Sequence, residues 1–250
     1  MSRDPSLAAG VCAVCGHRGA YVADDAPTRE NHRCASCGAS LRYRNQAAAI
    51  TATYHACDLS LAELAATSPF AELAIYEPGI IGPFRRILEP LAGYRVSYYW
   101  PGVAPGEAHE GVRCEDLERL TWPSETFDLV ITSDIFEHVR HPAKGFAEVR
   151  RVLKPGGWHI FTVPLTWPFR HETSARVDVS GPRDVHLADP VYHGSPTDPR
   201  GSLVYTDFGT DLPEALRRCG YAVTVHHGYR NAIAFAARKV VGEPRPPRDA

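Results

Sequence analysis

The spacing of apolar and polar residues changes character near residue 72. From there, short apolar runs alternate with stretches of helical period. Leu73-Ala74-Ile75-Tyr76 reads as a buried strand ending at Glu77-Pro78-Gly79, and Pro83 opens a helix carrying Phe84, Ile87, Leu88 and Leu91. Strand patterns follow at Tyr94 to Trp100, around Val112-Arg113-Cys114, and at Phe127 to Thr132. Phe146, Val149, Val152 and Leu153 mark a helix that Lys154-Pro155-Gly156-Gly157 stops, and Trp158 to Val163 is the next strand. A further helix runs from Asp211-Leu212-Pro213 to Cys219, ended by Gly220. Two strands, Tyr221 to His226 and Ala232 to Ala237, then join around Gly228. Such alternation predicts an α/β fold, a Rossmann-like, doubly wound, mostly parallel sheet with helices on both faces. Ligands of these sheets bind beyond the carboxyl ends of the strands, where the strand order reverses.

The first seventy residues follow another plan. Cys12-Ala-Val-Cys15-Gly and Cys34-Ala-Ser-Cys37-Gly are two copies of one knuckle, eighteen residues apart. Each pair can present two thiolates to one ion from a tight turn, and the glycine after it permits the turn's backbone angle. The spacing is that of a four-cysteine zinc site. About forty residues bury too little apolar surface to fold alone, so a metal supplies the stability. With all four positions filled by protein, Cys12, Cys15, Cys34 and Cys37 form a structural Zn2+ site. A redox dithiol would use one pair on a thioredoxin-like unit instead. His17 and His32, which flank the knuckles, read as surface residues. Beyond Ser40, Ala47 to Ala52 and Leu61 to Ala65 predict two helices joined near Cys57-Asp58. Arg42 and Arg44 are expected either to be exposed or to pair with a ligand carboxylate. The expected organisation is a small N-terminal zinc ribbon at 1–45 and a helical connector at 46–70. The main domain follows at 71–240, with a disordered, proline-rich tail at 241–250.

Composition narrows the function. The 250 residues are 44% hydrophobic, with a net charge of −2, so no polycation is available to grip a phosphate backbone and nucleic acid is argued against as a partner. No apolar run reaches bilayer length, and MSRDPSLAAG lacks a signal-peptide pattern. Seven cysteines, an odd number, argue against a disulfide framework. A cytoplasmic, soluble protein is expected, without a membrane partner.

The residues at the strand ends carry a resemblance. Glu77-Pro78-Gly79-Ile80-Ile81-Gly82 resembles a degenerate first motif of class I S-adenosylmethionine-dependent methyltransferases. Glu115 to Pro123 with Phe127 to Ile131, then Asp134 to Val139 and Glu148 to Gly157, continue the likeness in order across about residues 72 to 165. The resemblance implies S-adenosylmethionine as cofactor. Gly79 and Gly82 would let the backbone approach it, and Glu77 would orient that loop or accept from its ammonium. Asp116 would read the adenine amino group beside the Leu117 amide, while Ser133 and Asp134 would line the methionyl side. The acidic residue that holds the ribose at the end of the second strand is replaced by Tyr98-Tyr99-Trp100-Pro101, so either an aromatic hydroxyl, with Tyr98 the candidate, takes over that task or the ribose is held differently.

Asp134, Glu137 and His138 fall at i, i+3 and i+4, one face of a helical turn if one starts there. This is similar to the acidic-x-x-Glu-His pattern of some quinone and RNA-end methyltransferases. There it implies a second divalent metal at Asp134, Glu137 and His138. Otherwise His138 is a general-base candidate, with His193 the second choice. Leu165 to Asp211, which holds His171, His186 and His193, has no clear period and is long enough to serve as a lid or acceptor-binding insertion over 166–210. Trp167, Phe169, Tyr192 and Tyr205 are candidates for its apolar walls. The expected function is methyl transfer to a small polar metabolite, a hydroxyl acceptor being preferred, in specialised metabolism. Two alternatives stay open: an enzyme using the same cofactor for another reaction, such as cyclisation, and a zinc-ribbon RNA- or protein-binding module that has lost catalysis. Sequence leaves the oligomeric state open.

Overall fold

The structure, a computed structural model, describes residues 8–228 and 231–241. The tail expected to be disordered lies, from residue 242 on, outside the described residues. In chain order the N-terminal part gives β1 (Ala9–Val11), β2 (Arg18–Val22), β3 (Arg33–Cys34), α1 (Leu41–Thr53) and α2 (Leu61–Ala65). The body follows with β4 (Ile75–Pro78), α3 (Arg85–Leu88), β5 (Tyr94–Tyr98), β6 (Ala108–His109), β7 (Val112–Cys114), β8 (Phe127–Ser133), α4 (Pro142–Val152) and β9 (Leu153–Thr162). Six two-residue strands come next: β10 (Ser174–Ala175), β11 (Val177–Asp178), β12 (Val185–His186), β13 (Tyr192–His193), β14 (Ser202–Leu203) and β15 (Thr206–Asp207). The described chain closes with α5 (Leu212–Arg218), β16 (Tyr221–His227) and β17 (Ile233–Lys239).

The main sheet has eight strands in the order β16-β17-β9-β8-β4-β5-β7-β6. β4 pairs in parallel with both β5 and β8, β5 with β7, and β8 with β9. The hairpin β16–β17 and the short β6 add antiparallel edges. The doubly wound, Rossmann-like, mostly parallel sheet is therefore as the periodicity implied. The chain moves to opposite sides of β4, so the switch point lies beyond the carboxyl ends of β4 and β8.

Alternation along the strands builds a core on each face. Leu129 and Ile131 of β8 join Ala47, Ala49 and Ile50 of α1 on one side, and Val130 joins Phe146, Val149 and Val152 of α4 on the other. Ala234 and Ala236 of β17 also face the α1 side, and their small side chains let that helix lie close. Asn45 fastens α1 by donating to the carbonyls of Ala232 at 2.8 Å and His226 at 3.1 Å.

Three expectations shift. Helix α1 begins at Leu41, so Arg42 and Arg44 lie on it and both are buried rather than exposed. The helix expected from Pro83 to Leu91 shortens to the single turn α3. Strand β9 begins at Leu153, drawing Lys154-Pro155-Gly156-Gly157 into the sheet. The aperiodic segment after β9 folds as three small antiparallel ladders: β10 with β15, β11 with β12, and β13 with β14.

His159 of β9 is wholly buried, stacked on Phe161 at 4.5 Å, and its Nε2 shares a 2.9 Å hydrogen bond with the Thr132 hydroxyl. Burial pushes the imidazole down to about 3. The unfolded chain therefore takes up a proton below the ordinary value of 6.5 that the folded chain refuses, and stability falls as pH drops from 6.5 toward 3. His159→Gln carries no such proton. The stability advantage of the parent over this variant, measured by urea unfolding, is expected to shrink on acidification through that window. A pH-independent difference would contradict the buried, neutral assignment.

Candidate active site

The two cysteine knuckles fold alike. In each, the first cysteine's carbonyl accepts from the glycine four residues on: Gly16 to Cys12 at 2.8 Å and Gly38 to Cys34 at 2.9 Å. Cys12 and Cys37 sulfurs lie 3.7 Å apart, as do those of Cys15 and Cys34. A tetrahedral zinc with thiolate bonds of about 2.3 Å has sulfur edges of about 3.8 Å. The four cysteines thus meet in a cluster that fits a zinc ribbon, beside the small sheet β1-β2-β3. The ribbon is packed into the body: Cys12, Val14 and Cys34 share the α1-side core, and the amides of Leu61 and Ala62 donate to Ala13 and Val14 carbonyls.

That packing carries charge to the sheet's carboxyl edge. Arg29, in a single helical turn at Thr28–Glu30, reaches across to Asp134 just past β8. One guanidinium nitrogen makes a close hydrogen bond to Oδ2, while the other donates to Oδ1 at 3.1 Å and to the Val163 carbonyl at 3.4 Å. Thr162 donates to Oδ1 at 2.8 Å. Arg42 adds its Nε at 3.3 Å from Oδ2 and clasps Glu30 at 2.6 and 3.2 Å. Burial would push the Asp134 carboxyl up, but Arg29 and Arg42 outweigh it and hold the group well below the ordinary carboxylate range. Asp134 sits at φ +53°, a left-handed conformation that its tight set of partners maintains.

The loop after β4 lies beside this cluster. Glu77 is buried, and its Oε2 accepts from the Tyr94 hydroxyl at 2.7 Å. Burial pushes its carboxyl up to about 7, against the Tyr94 bond and the charge of Arg85. A side chain begun at Gly79 would meet only Ile135 Cδ1, at 3.9 Å, so the space over this glycine is open to a ligand. Gly82 has φ +135°, and the Tyr43 hydroxyl lies 3.2 Å from where its Cβ would be. Arg42 stacks its guanidinium 4.1 Å over the Tyr43 ring, and its Nη1 is buried with no hydrogen-bond partner. Arg44 turns away, donating to the His32 carbonyl and lying 3.5 Å over Tyr21.

Past Asp134 the chain makes a one-turn 3-10 helix, Phe136–His138. Because Asp134 is left-handed, the helical face expected for Asp134, Glu137 and His138 does not form. Asp134 turns to Arg29, and the third member beside Glu137 and His138 is His193 of β13. Glu137 is 1% exposed and neither carboxylate oxygen has a hydrogen-bond partner. His138 Nε2 stands 3.6 Å and His193 Nδ1 3.4 Å from Glu137 Oε1. Burial pushes the Glu137 carboxyl up, with His193 opposing, and the same carboxylate raises the His193 imidazole against its burial.

The other expected residues are spread along the same edge. Asp116 spends one oxygen on the Glu118 amide at 2.9 Å, and Leu117 is buried. Ser133 donates to Gln46 Oε1 at 2.7 Å, and Gln46 in turn donates to the Thr132 and Ile160 carbonyls. Tyr98 ends β5 with its hydroxyl 3.4 Å from Ser195 and 3.3 Å from Thr197 of the insertion. The insertion thus touches the edge from β5 to the turn after β8, where Tyr205 N donates to the Glu137 carbonyl at 2.7 Å. Of the aromatic wall candidates, Trp167 and Tyr192 are exposed. His186 is exposed, and the His171 ring bonds to the Thr210 hydroxyl at 3.4 Å, outside the cluster. Arg29, Tyr43 and Gln46 are not among the residues to which the sequence pattern points. Their signal would have been polar residues on an otherwise alanine-rich helix, and an arginine between the two knuckles.

Residues 101–161 match the family model described as a methyltransferase domain. An uncharacterized methyltransferase of Schizosaccharomyces pombe is 37% identical over 46 residues, 18% of this chain; the match spans 16% of that relative's length. An S-adenosylmethionine-dependent methyltransferase from Mesorhizobium loti is 20% identical, covering 66% of this chain and 90% of that one, with a TM-score of 0.42. The 1,6-didemethyltoxoflavin N1-methyltransferase of Burkholderia thailandensis, solved with S-adenosylhomocysteine, is 16% identical over 88% of this chain and 95% of that one, with a TM-score of 0.41. Among the described residues, no helix is long and apolar enough to cross a membrane.

Removing one member of a buried ion cluster strands the others. Arg29→Ala is expected to cost about 3 kcal/mol of stability, the low end for a broken buried pair, because Asp134 keeps only the 3.3 Å contact with Arg42 and the Thr162 bond. Arg33→Ala, in the exposed pair with Asp24 (side chains 42% and 44% exposed), should cost about 1 kcal/mol or less. Chemical denaturation that ranks the two equally would contradict the cluster's place in the fold.

Proposed function

We propose that this methyltransferase-type domain moves a methyl group from S-adenosylmethionine to a hydroxyl of a small polar acceptor bound under the insertion. The observation that carries the reading is the open space over Gly79 at the switch point, on an edge whose border includes the buried Glu77 at the end of the same strand and the Asp134 cluster, where Arg42 has a partnerless Nη1. A zwitterionic aminoacyl group fits such a border: its ammonium toward Glu77, its carboxylate toward Arg42. Asp116 retains an oxygen for the adenine amino group, the Leu117 amide serves the ring, and Tyr98 stands at the ribose end. Ser133 and Asp134 line the methionyl side through Gln46 and Arg29. Zinc held by Cys12, Cys15, Cys34 and Cys37 keeps the ribbon folded, and with it the loop that carries Arg29.

The reaction is an in-line displacement. An acceptor oxygen forms a bond to the methyl carbon, the carbon–sulfur bond breaks, and its electron pair returns to sulfur, giving S-adenosylhomocysteine. The protein aligns the two reactants and receives the hydroxyl proton. His138 and His193 are the basic groups next to where the acceptor would lie. Glu137 between them balances an imidazolium once the proton has moved.

Calorimetric titration with S-adenosylmethionine and S-adenosylhomocysteine tests the reading, with micromolar binding expected. Gly79→Leu should fold, since only Ile135 lies near its Cβ, and should weaken binding at least tenfold by filling the ligand's space. Below about 7 Glu77 is protonated and lends no charge to the ammonium, so affinity is expected to rise with pH through that value, and the rise should be lost in Glu77→Gln. A folded protein that binds neither compound would remove the methyl-transfer reading.

A further inference from the structure

The hairpin formed by β13 and β14 is anchored at two places on the carboxyl edge of the sheet. Its base stands at the turn after β8, where His138 Nδ1 donates to the Leu203 carbonyl at 2.8 Å and His193 Nδ1 lies 3.4 Å from Glu137 Oε1. Its loop stands at the end of β5, where the Tyr98 hydroxyl lies 3.4 Å from Ser195 Oγ and 3.3 Å from Thr197 Oγ1. In the sheet, β4 lies between β8 and β5. Those outer two are separated by two strand spacings, about 10 Å. The chain from His193 to Thr197 can reach about 14 Å, so this segment spans the gap and crosses the carboxyl end of β4. Pro78 of β4 stands opposite Ser97 of β5, so Gly79, with its open space, comes level with Tyr98.

The three hydroxyls at the loop are loosely bonded to one another. The Ser195 and Thr197 oxygens are 3.4 Å apart, and every spacing in the trio exceeds about 2.8 Å, the usual distance for a hydroxyl pair. Ser195 Oγ accepts from the amides of Thr197 at 3.3 Å and Asp198 at 3.2 Å, which leaves its proton for another acceptor. Among the described residues, no carboxylate bonds to any of the three hydroxyls. The trio therefore offers donors and acceptors to a ligand diol just where β5 ends without an acidic residue.

We infer that the β13–β14 hairpin is a strap over the cofactor, and that Ser195 and Thr197, with Tyr98, bind its ribose diol in place of the absent carboxylate. The assignment rests on the cofactor reading proposed above. A neutral hydroxyl bonds a diol more weakly than a carboxylate does, and the strap compensates by adding two groups from outside the sheet. His193 begins the same segment, so seating the ribose at one end also sets this histidine beside Glu137 at the other. Exchange of the cofactor then requires the loop to lift from Tyr98.

The test compares calorimetric affinities for S-adenosylhomocysteine and for its analogue lacking both ribose hydroxyls, in the zinc-loaded parent and in Ser195→Ala/Thr197→Val. The parent is expected to favour the natural compound about tenfold or more, each neutral hydrogen bond being worth about 2- to 10-fold. The double variant should lose most of that preference while binding the analogue as the parent does, a split that a merely structural effect would not produce. Thr197 is exposed, so Thr197→Val alone reads the contact should the double variant misfold. Ser180→Ala, exposed elsewhere on the insertion, should change neither affinity. A parent without preference, or variants that keep the preference or lose both affinities equally, would overturn the strap and leave the cofactor reading in place. A folded parent that binds neither compound would remove that reading and the strap with it.

Discussion

The contact between Arg29 and Asp134 joins the two halves of the molecule. Arg29 belongs to the segment between the cysteine knuckles, and Asp134 to the loop that leaves the fourth parallel-sheet position of the main domain. With Arg42 and Glu30 they make a charge-balanced group of two cations and two anions, in which the arginines are buried and Glu30, 33% exposed, meets water. The two buried arginines and Asp134 depend on one another most, because little solvent reaches them when a partner leaves. Asp134's left-handed backbone depends on the same contacts. The chain after β8 is thereby sent away from a helix and into the short turn that buries Glu137.

The carboxyl edge of the sheet is accordingly a composite. The ribbon and α1 contribute Arg29, Arg42, Tyr43 and Gln46. The strands contribute Glu77, Gly79, Ser133 and Asp134, and the insertion brings His193, Leu203, Ser195 and Thr197. Small residues make the joining possible: the alanines of α1 meet Ala234 and Ala236, so the helix lies close enough for Gln46 to reach the β8 and β9 carbonyls. The cysteine ribbon in this arrangement contributes side chains to the carboxyl edge as well as packing against the core.

Periodicity in the sequence is sufficient for the parallel strands and their order of appearance, because the central ones, β4, β8 and the second half of β9, are largely buried and mostly apolar, while β5 and β7 keep an apolar pattern interrupted by Arg95 and Arg113. The knuckles were equally plain, since metal spacing is a local property. Other features depended on contacts far apart in the chain. Arg42 looked like a surface residue, as charged residues are in general, and only the nearness of Glu30 and Asp134 allows its burial. The expected face of Asp134, Glu137 and His138 assumed a helical turn that the left-handed Asp134 forbids. His193 was one of three histidines in an aperiodic segment. Its selection follows from the two-residue ladders that fold the insertion, too short to leave a period-two signal.

Under the proposed function, zinc on the cysteine ribbon holds Arg29 in place and so shapes the edge that would bind the cofactor. The direct measurement is S-adenosylhomocysteine affinity by calorimetry on one sample with zinc bound, after chelation, and after zinc is restored, with circular dichroism following the sheet. Affinity is expected to fall when zinc is removed, while the strand signal persists, and to return on reloading. Unchanged affinity in the zinc-free, folded protein would contradict it.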